Sequence, residues 1–406
     1  MIAVVLLTAG CGVADPDRPV PPASSAAPAR AAAAQAALDD LVAAARTGDR
    51  ARFDAGTSRR DPSFGDRARL LFDNLSTLPM ALVRLQLQPG QQPLSGARLA
   101  LLGTTAWRQP AVLTWQLDGE AASAEHTVWL TFVVEGPRTQ LAGTLDGPAE
   151  EVRPQPIWWT GPVTAATDGE TTVLVGAGQP VERWRERAST AVTQVRRRVT
   201  TAAVPSWRRT VVEVPASRRD FEAVVGAADG SYAAIAAVTL AEGPSATAAV
   251  RVVVNPEVTR QLAPLGIAVV LTHEVVHVAT RSADSPAPTW AVEGFADYIA
   301  LTAYPAAGDG AGEPLLQQVR RSGAPEALPD DERFRAGQPD LAASYAGAWL
   351  ACRSIAAAYG PAALQRFYAA LDAGRTFEQA AEDELGVSAA TVTEGWRTYL
   401  RQQAGG

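Results

Sequence analysis

Three histidines occur in the 406-residue chain. Two of them, His273 and His277, stand four residues apart in LTHEVVHVATRS, with Glu274 between them. On a helix that spacing is one turn, so both imidazoles project from one face and can grip a single cation. For zinc the nitrogen–metal distance is about 2.0–2.1 Å. Glu274 points roughly a quarter-turn away, beside such an ion rather than on it. A carboxylate there can take a proton from a water whose pKa zinc lowers to about 7. Two histidines hold zinc weakly, so a third ligand is expected. After the break SADSPAP a second helix begins near Thr289, and on it Glu293 and Asp297 share a face. Folded back antiparallel, it would deliver Glu293 as third ligand. Asp297 would accept a hydrogen bond from the outer nitrogen of a zinc-bound histidine. A fourth position left to water marks a catalytic rather than a structural site.

HEVVH with Glu293 sixteen residues beyond His277, in WAVEGFADY, resembles the gluzincin zinc metallopeptidases, most closely the peptidase MA-like group. The resemblance runs from about 170 to 402 and includes a closing tryptophan, Trp396. It implies that His273, His277 and Glu293 bind one zinc ion (Zn2+) per chain. It also implies that Glu274 is the general base and that Asp297 orients a ligand histidine. In several gluzincins a tyrosine on a later helix helps to stabilise the oxyanion. Tyr345 is the expected counterpart, with Tyr298 and Tyr304 as alternatives. No histidine follows Glu293, so the third histidine of thermolysin-type enzymes has no counterpart. The run 247–256, TAAVRVVVNP, stands where the family commonly has a substrate-pairing strand, and its apolar residues fit a free edge or a buried strand equally. No motif for binding an amino terminus precedes the zinc helix, which favours endopeptidase or processing activity on a peptide or protein.

The elements that must position these residues form an α+β chain. Residues 30–55 are Ala-rich with Leu38, Leu41 and Val42 at helical spacing, and DRARLLFDNLSTL follows as a second helix. From about residue 81 come strand-like runs, ARLALLGTTAW and PIWWTGPV among them. Helices on a curved antiparallel sheet resemble the NTF2-like (SnoaL-like) fold over 30–163. A cone of that kind could hold a ligand pocket lined by Trp115 and Trp129. His126 reads as a satisfied strand histidine. The polar stretch 164–172 reads as a boundary. Residues 170–406 then form the metallopeptidase domain, with a small mixed sheet and a helical C-terminal half from Pro264. Cys352 reads as a small core residue.

The hydrophobic share of 47% suffices to bury the cores of two such domains. The net charge is −7, and all 36 basic residues are arginines. No basic face stands out, which excludes nucleic acid as an expected partner. The triple arginine at 196–198 reads as a solvated helix face. Residues 1–11, MIAVVLLTAGC, suit a signal segment ending in a run that resembles a bacterial lipoprotein cleavage site, with Cys11 as the lipidated residue. Residues 12–29 are expected to be a disordered Pro/Ala/Ser-rich tether. The expectation is a zinc peptidase at the extracytoplasmic face of a bacterial membrane, touching that membrane through its lipid anchor only. The alternative is a catalytically silent zinc-binding lipoprotein, acting as a surface scaffold or a ligand-binding module.

Overall fold

The computed structural model describes residues 26–148, 152–200, 204, 207–244, 247–335 and 337–405. The expected signal segment 1–11 with Cys11, and residues 12–25 of the expected tether, lie outside the described residues. Helix α1 (Ala26–Thr47) already contains the last four residues of that tether. No helix among the described residues is long and apolar enough to cross a membrane.

The first unit is built from α1, α2 (Arg50–Ala55) and α3 (Pro62–Thr77), laid on a curled antiparallel sheet. Residues Ala34, Leu38, Leu41 and Ala45 of α1 recur at helical spacing and are buried together. Asp61 caps α3 through the Ser63 N–H, with Pro62 at the first helical position. The strands β1 (Met80–Leu87), β2 (Trp107–Leu117), β3 (Ala124–Glu135) and β4 (Arg138–Gly143) follow one another as a meander. Burial along β2 alternates at every residue, so Leu113 and Trp115 point at the helices. The structure differs from expectation at three places. ARLALL is a helix, α4 (Gly96–Leu102), capped by Ser95. IWWT is a short helix, α5 (Ile157–Thr160), rather than part of a strand. Trp129 belongs to the outer face of β3, where Arg108 lies over its ring, so it does not line the cone. The cone itself is filled by side chains, with a residual cavity of about 40 Å³. That leaves no room for a ligand-binding role inside it.

The second sheet begins earlier than the expected boundary. Its order is β5 (Val163–Asp168), β6 (Thr171–Gly176), β7 (Thr210–Val214), β9 (Val250–Val254) and β8 (Ala237–Ala241), with β6, β7 and β9 parallel. The valine runs in the central strands have a structural reason: each strand is buried on both faces. Val173, Val212 and Val252 pack on a helical layer, whereas Leu174, Val211 and Val253 join the core of the first unit. The helical layer comprises α6 (Val181–Arg198), α9 (Pro264–Thr280), α10 (Thr289–Ala303) and the later helices. The shorter α7 (Arg218–Val225) and α8 (Pro256–Thr259) flank the sheet. The chain after α10 is helical throughout: α11 (Pro305–Gly308), α12 (Glu313–Ser322), α13 (Leu341–Tyr359), α14 (Pro361–Asp372), α15 (Phe377–Leu385) and α16 (Ala389–Gly405). Cys352 is buried in α13 as a free thiol.

A buried ionic cluster lies between the units. Arg251 of β9 is fully buried and pairs with both oxygens of Glu120, at 3.0 and 2.8 Å. It also donates to Glu242 at 2.9 Å and to Glu213 at 3.3 Å, and stacks 3.7 Å from the centre of the Trp115 ring. His126 contacts Glu242 and the Pro154 carbonyl, each at 3.3 Å, so it is the satisfied strand histidine expected. Burial, reinforced by Glu242, pushes the Glu213 carboxyl well above the usual carboxylate range. Burial also opposes the charge on Glu242, but Arg251 and His126 outweigh it and hold that carboxyl below its ordinary value.

Removing the guanidinium would strand Glu120 and Glu242 in a dry interface. Arg251→Ala should therefore cost about 3–5 kcal/mol in a urea titration of the full chain. A loss below 1 kcal/mol would show that water reaches the cluster. Glu213 gives a second test with a defined sign. Its folded state keeps a proton that the unfolded chain releases above pH ~4.3. The unfolded chain then binds fewer protons, so this group lowers stability as pH rises above that value. Glu213→Gln should match the wild type near pH 4 and be more stable at pH 8. The reverse order would mean that Glu213 is ionised against Arg251.

Candidate functional site

The helix α9 starts at Pro264 and is apolar on most faces, which keeps it inside the molecule. It ends at Arg281, whose φ of 54° is the left-handed conformation of a helix C-cap, with its N–H turned back to the His277 and Val278 carbonyls. For a residue with a Cβ this costs about 1–2 kcal/mol. The reversal directs Ser282 onto the helix just completed, where its Oγ lies 2.8 Å from His277 Nδ1. After Pro286 and Pro288 the chain enters α10, which packs on α9.

Glu293 and Asp297 are brought to the histidines as expected. His273 Nδ1 lies 2.8 Å from Asp297 Oδ1 and donates to it. On the inner side, His273 Nε2 and His277 Nε2 are 2.9 Å apart. Glu293 Oε2 lies 3.3 Å from the first and 3.6 Å from the second. All three donor atoms fall within 4.8 Å of one another. In a tetrahedral site with bonds of about 2.0–2.1 Å, neighbouring donors stand about 3.3 Å apart. Both outer nitrogens have partners, which turns both inner nitrogens toward one point. These three residues form a cluster that could hold a cation. The electrostatics agree in sign. Burial opposes a charge on His273, yet Asp297 and Glu293 push it well above the ordinary imidazole range. Burial likewise opposes the Glu293 carboxylate, but the two histidines hold it far below the usual range.

Glu274 is buried beside this cluster. The Thr239 hydroxyl, on β8, lies 2.7 Å from Glu274 Oε2 and 3.2 Å from the Glu274 carbonyl oxygen. The cluster opens into a cleft of about 800 Å³, with β8 as one wall and Val269, Val270 and Val292 lending it apolar surface. Of the three tyrosines considered, Tyr345 lines this cleft and Tyr298 and Tyr304 do not. Burial, with Glu293, Asp297 and Glu274 nearby, pushes the Tyr345 hydroxyl up, so it stays a neutral donor. The structure decides between the two readings of one strand. The run 247–256 contributes β9, which lies between β7 and β8 and has no free edge. The edge strand beside the site is β8.

Three contributors escaped the sequence reading: Thr239, Ser282 and Gly294. A Cβ at Gly294 would lie 2.3 Å from the Ala348 carbonyl oxygen and 3.0 Å from Cys352 Sγ. The close approach of α10 to α13, which sets the depth of Glu293 and Asp297, therefore requires glycine there. Isolated polar residues in apolar runs are the available sequence signal, and Thr239 in AVTLA is one. A scan of family models finds no match to the chain, and a search of curated proteins likewise returns none.

Gly294→Ala should push α10 outward and cost about 1–3 kcal/mol. A crystal structure of the variant should show Glu293 withdrawn from the two histidines. Unchanged stability with an unmoved Glu293 would mean that α13 yields instead.

Proposed function

We propose that the chain is a zinc-dependent peptidase of gluzincin type, joined to an NTF2-like accessory unit. The observation that carries this reading is the convergence of His273, His277 and Glu293 on one point, with a buried carboxylate, Glu274, alongside. His273, His277 and Glu293 would hold the ion, with Asp297 and Ser282 fixing the two imidazoles. Zinc at that point would supply Lewis acidity toward a water and toward the scissile carbonyl. Glu274 would take the proton from the attacking water and return it to the leaving nitrogen. Tyr345 would donate its hydroxyl to the oxygen that becomes negative.

The substrate we propose is an extended peptide segment. The edge of β8 offers main-chain groups for strand addition, with sequence-tolerant affinity. Among the described lining residues no arginine is present to anchor a terminal carboxylate. The carboxylates there all belong to the metal cluster or its base, which leaves none for a terminal ammonium. Both points support endopeptidase action. The proposed location, outside a bacterial cytoplasm and tethered through Cys11, rests on the leader sequence alone.

Two substitutions in the full chain test the reading. Glu293→Ala should lose the bound zinc, read by plasma mass spectrometry as a fall from one ion per chain. Glu274→Gln should keep the zinc and lose nearly all hydrolysis of labelled casein, on the order of a hundredfold or more. A folded wild type that takes up no zinc would overturn the site, and full activity in Glu274→Gln would overturn the mechanism.

A further inference from the structure

The pairing of β8 with β9 determines which of its residues face the open edge. The Asn255 N–H donates to the Ala236 carbonyl at 2.9 Å, and the Glu242 N–H donates to the Ala249 carbonyl at 2.8 Å. With the register Thr239↔Val252, hydrogen-bonded pairs fall at 236, 238, 240 and 242. In an antiparallel ladder the intervening residues turn their N–H and C=O away from the partner strand. Thr239 is one of them, so its main-chain groups face the open edge. Its side chain, meanwhile, reaches Glu274 Oε2 at 2.7 Å.

We infer that Thr239 is a positioning residue that ties substrate register to the general base, an inference resting on the peptidase reading above. Its N–H and C=O pair with the extended substrate as a strand would. Its hydroxyl donates to Oε2 of Glu274 and fixes the carboxylate rotamer, which leaves Oε1 as the oxygen that takes the proton. One residue therefore sets both the peptide that lies along β8 and the base that serves it. The Glu274 carbonyl at 3.2 Å shares the same single proton, and the 2.7 Å contact to Oε2 is the shorter of the two. A hydroxyl on a β-branched residue suits the post. Branching stiffens χ1 on a strand, and no long side chain has to be ordered.

Thr239→Val keeps the branching and the main chain and replaces the hydroxyl with a methyl. In the zinc-loaded full chain it should lower kcat on labelled casein by about 100-fold, the scale of a small misplacement of a catalytic group. KM, zinc per chain and melting temperature should stay at wild-type values. Thr239→Ser should restore kcat to within about threefold. A crystal structure of metal-free Thr239→Val should show the Glu274 carboxylate rotated from its wild-type position. Wild-type kcat in Thr239→Val, an unmoved Glu274, or a Ser variant as impaired as Val would overturn the proposal. So would loss of zinc in step with kcat, which marks a merely structural role. If wild-type protein loaded with zinc cleaves no casein, the peptidase reading fails, and the crystal structure alone still decides whether Thr239 positions Glu274.

Discussion

The fully buried Arg251 is the constraint on which the rest of the molecule depends. Moving an ion into a dry interior costs several kcal/mol even after relaxation, so such a charge persists only where every donor has a partner. Here the partners come from both units: Glu120 from the β2–β3 turn, and Glu213 and Glu242 from the second sheet. Trp115, from the first unit, supplies the ring beneath it. Neither unit alone satisfies the guanidinium. The apolar side of the same interface makes the same demand, because Leu174, Val211 and Val253 find their core only under the first unit. The two sheets are one folding problem, and the strand β5, which begins ahead of the expected boundary, is part of it.

From Arg251 to the site the contacts are contiguous. Arg251 pairs across the ladder with Leu240 on β8, and Glu242 follows that strand directly. The Glu125 N–H donates to the Glu242 carbonyl at 2.7 Å, and the Ala249 N–H donates to the Ser123 carbonyl at 3.0 Å. The first unit thus grips the β8–β9 hairpin at its closed end, while Thr239 further along β8 holds Glu274. An edge strand is ordinarily the least restrained part of a sheet. This one is fixed at one end by a buried ionic cluster and at its middle by the zinc-helix candidate.

Much of the site was legible because it is local. Residues four apart on a helix share a face whatever the tertiary structure, so His273 with His277 and Glu293 with Asp297 could be paired from spacing. Two prolines and a serine-rich break sufficed to place the second helix. The parts that were misread or left open depend on non-local order. The run before the HEVVH helix fitted an edge or a buried strand equally, because order along the chain is not order across a sheet, and β8 crossed outside β9. ARLALL was ambiguous because a short apolar run fits a strand or a helix. Its caps, Ser95 and Gly103, were the signals that decide it. Trp129 followed the same strand as buried neighbours, and only the pleat register showed that it faces outward. Gly294 could not be read at all, since its reason is the Ala348 carbonyl of a helix some fifty residues away.

The charges at the site argue for what kind of group completes it. Glu274, Glu293 and Asp297 stand within one cleft wall, largely removed from water, and the described lining offers no arginine to balance them. With no proton on either inner nitrogen, the two imidazoles would bring lone pairs rather than charge. A proton shared between His273 and His277 would offset a single negative charge and would use up one of the inner nitrogens. A divalent cation would offset two, and both histidines and Glu293 are the residues that would hold it. Asp297 would then need no direct bond to such an ion, because its hydrogen bond to His273 orients the ring. Glu274 alone remains outside that balance. It is held by the neutral Thr239 hydroxyl rather than by a cation.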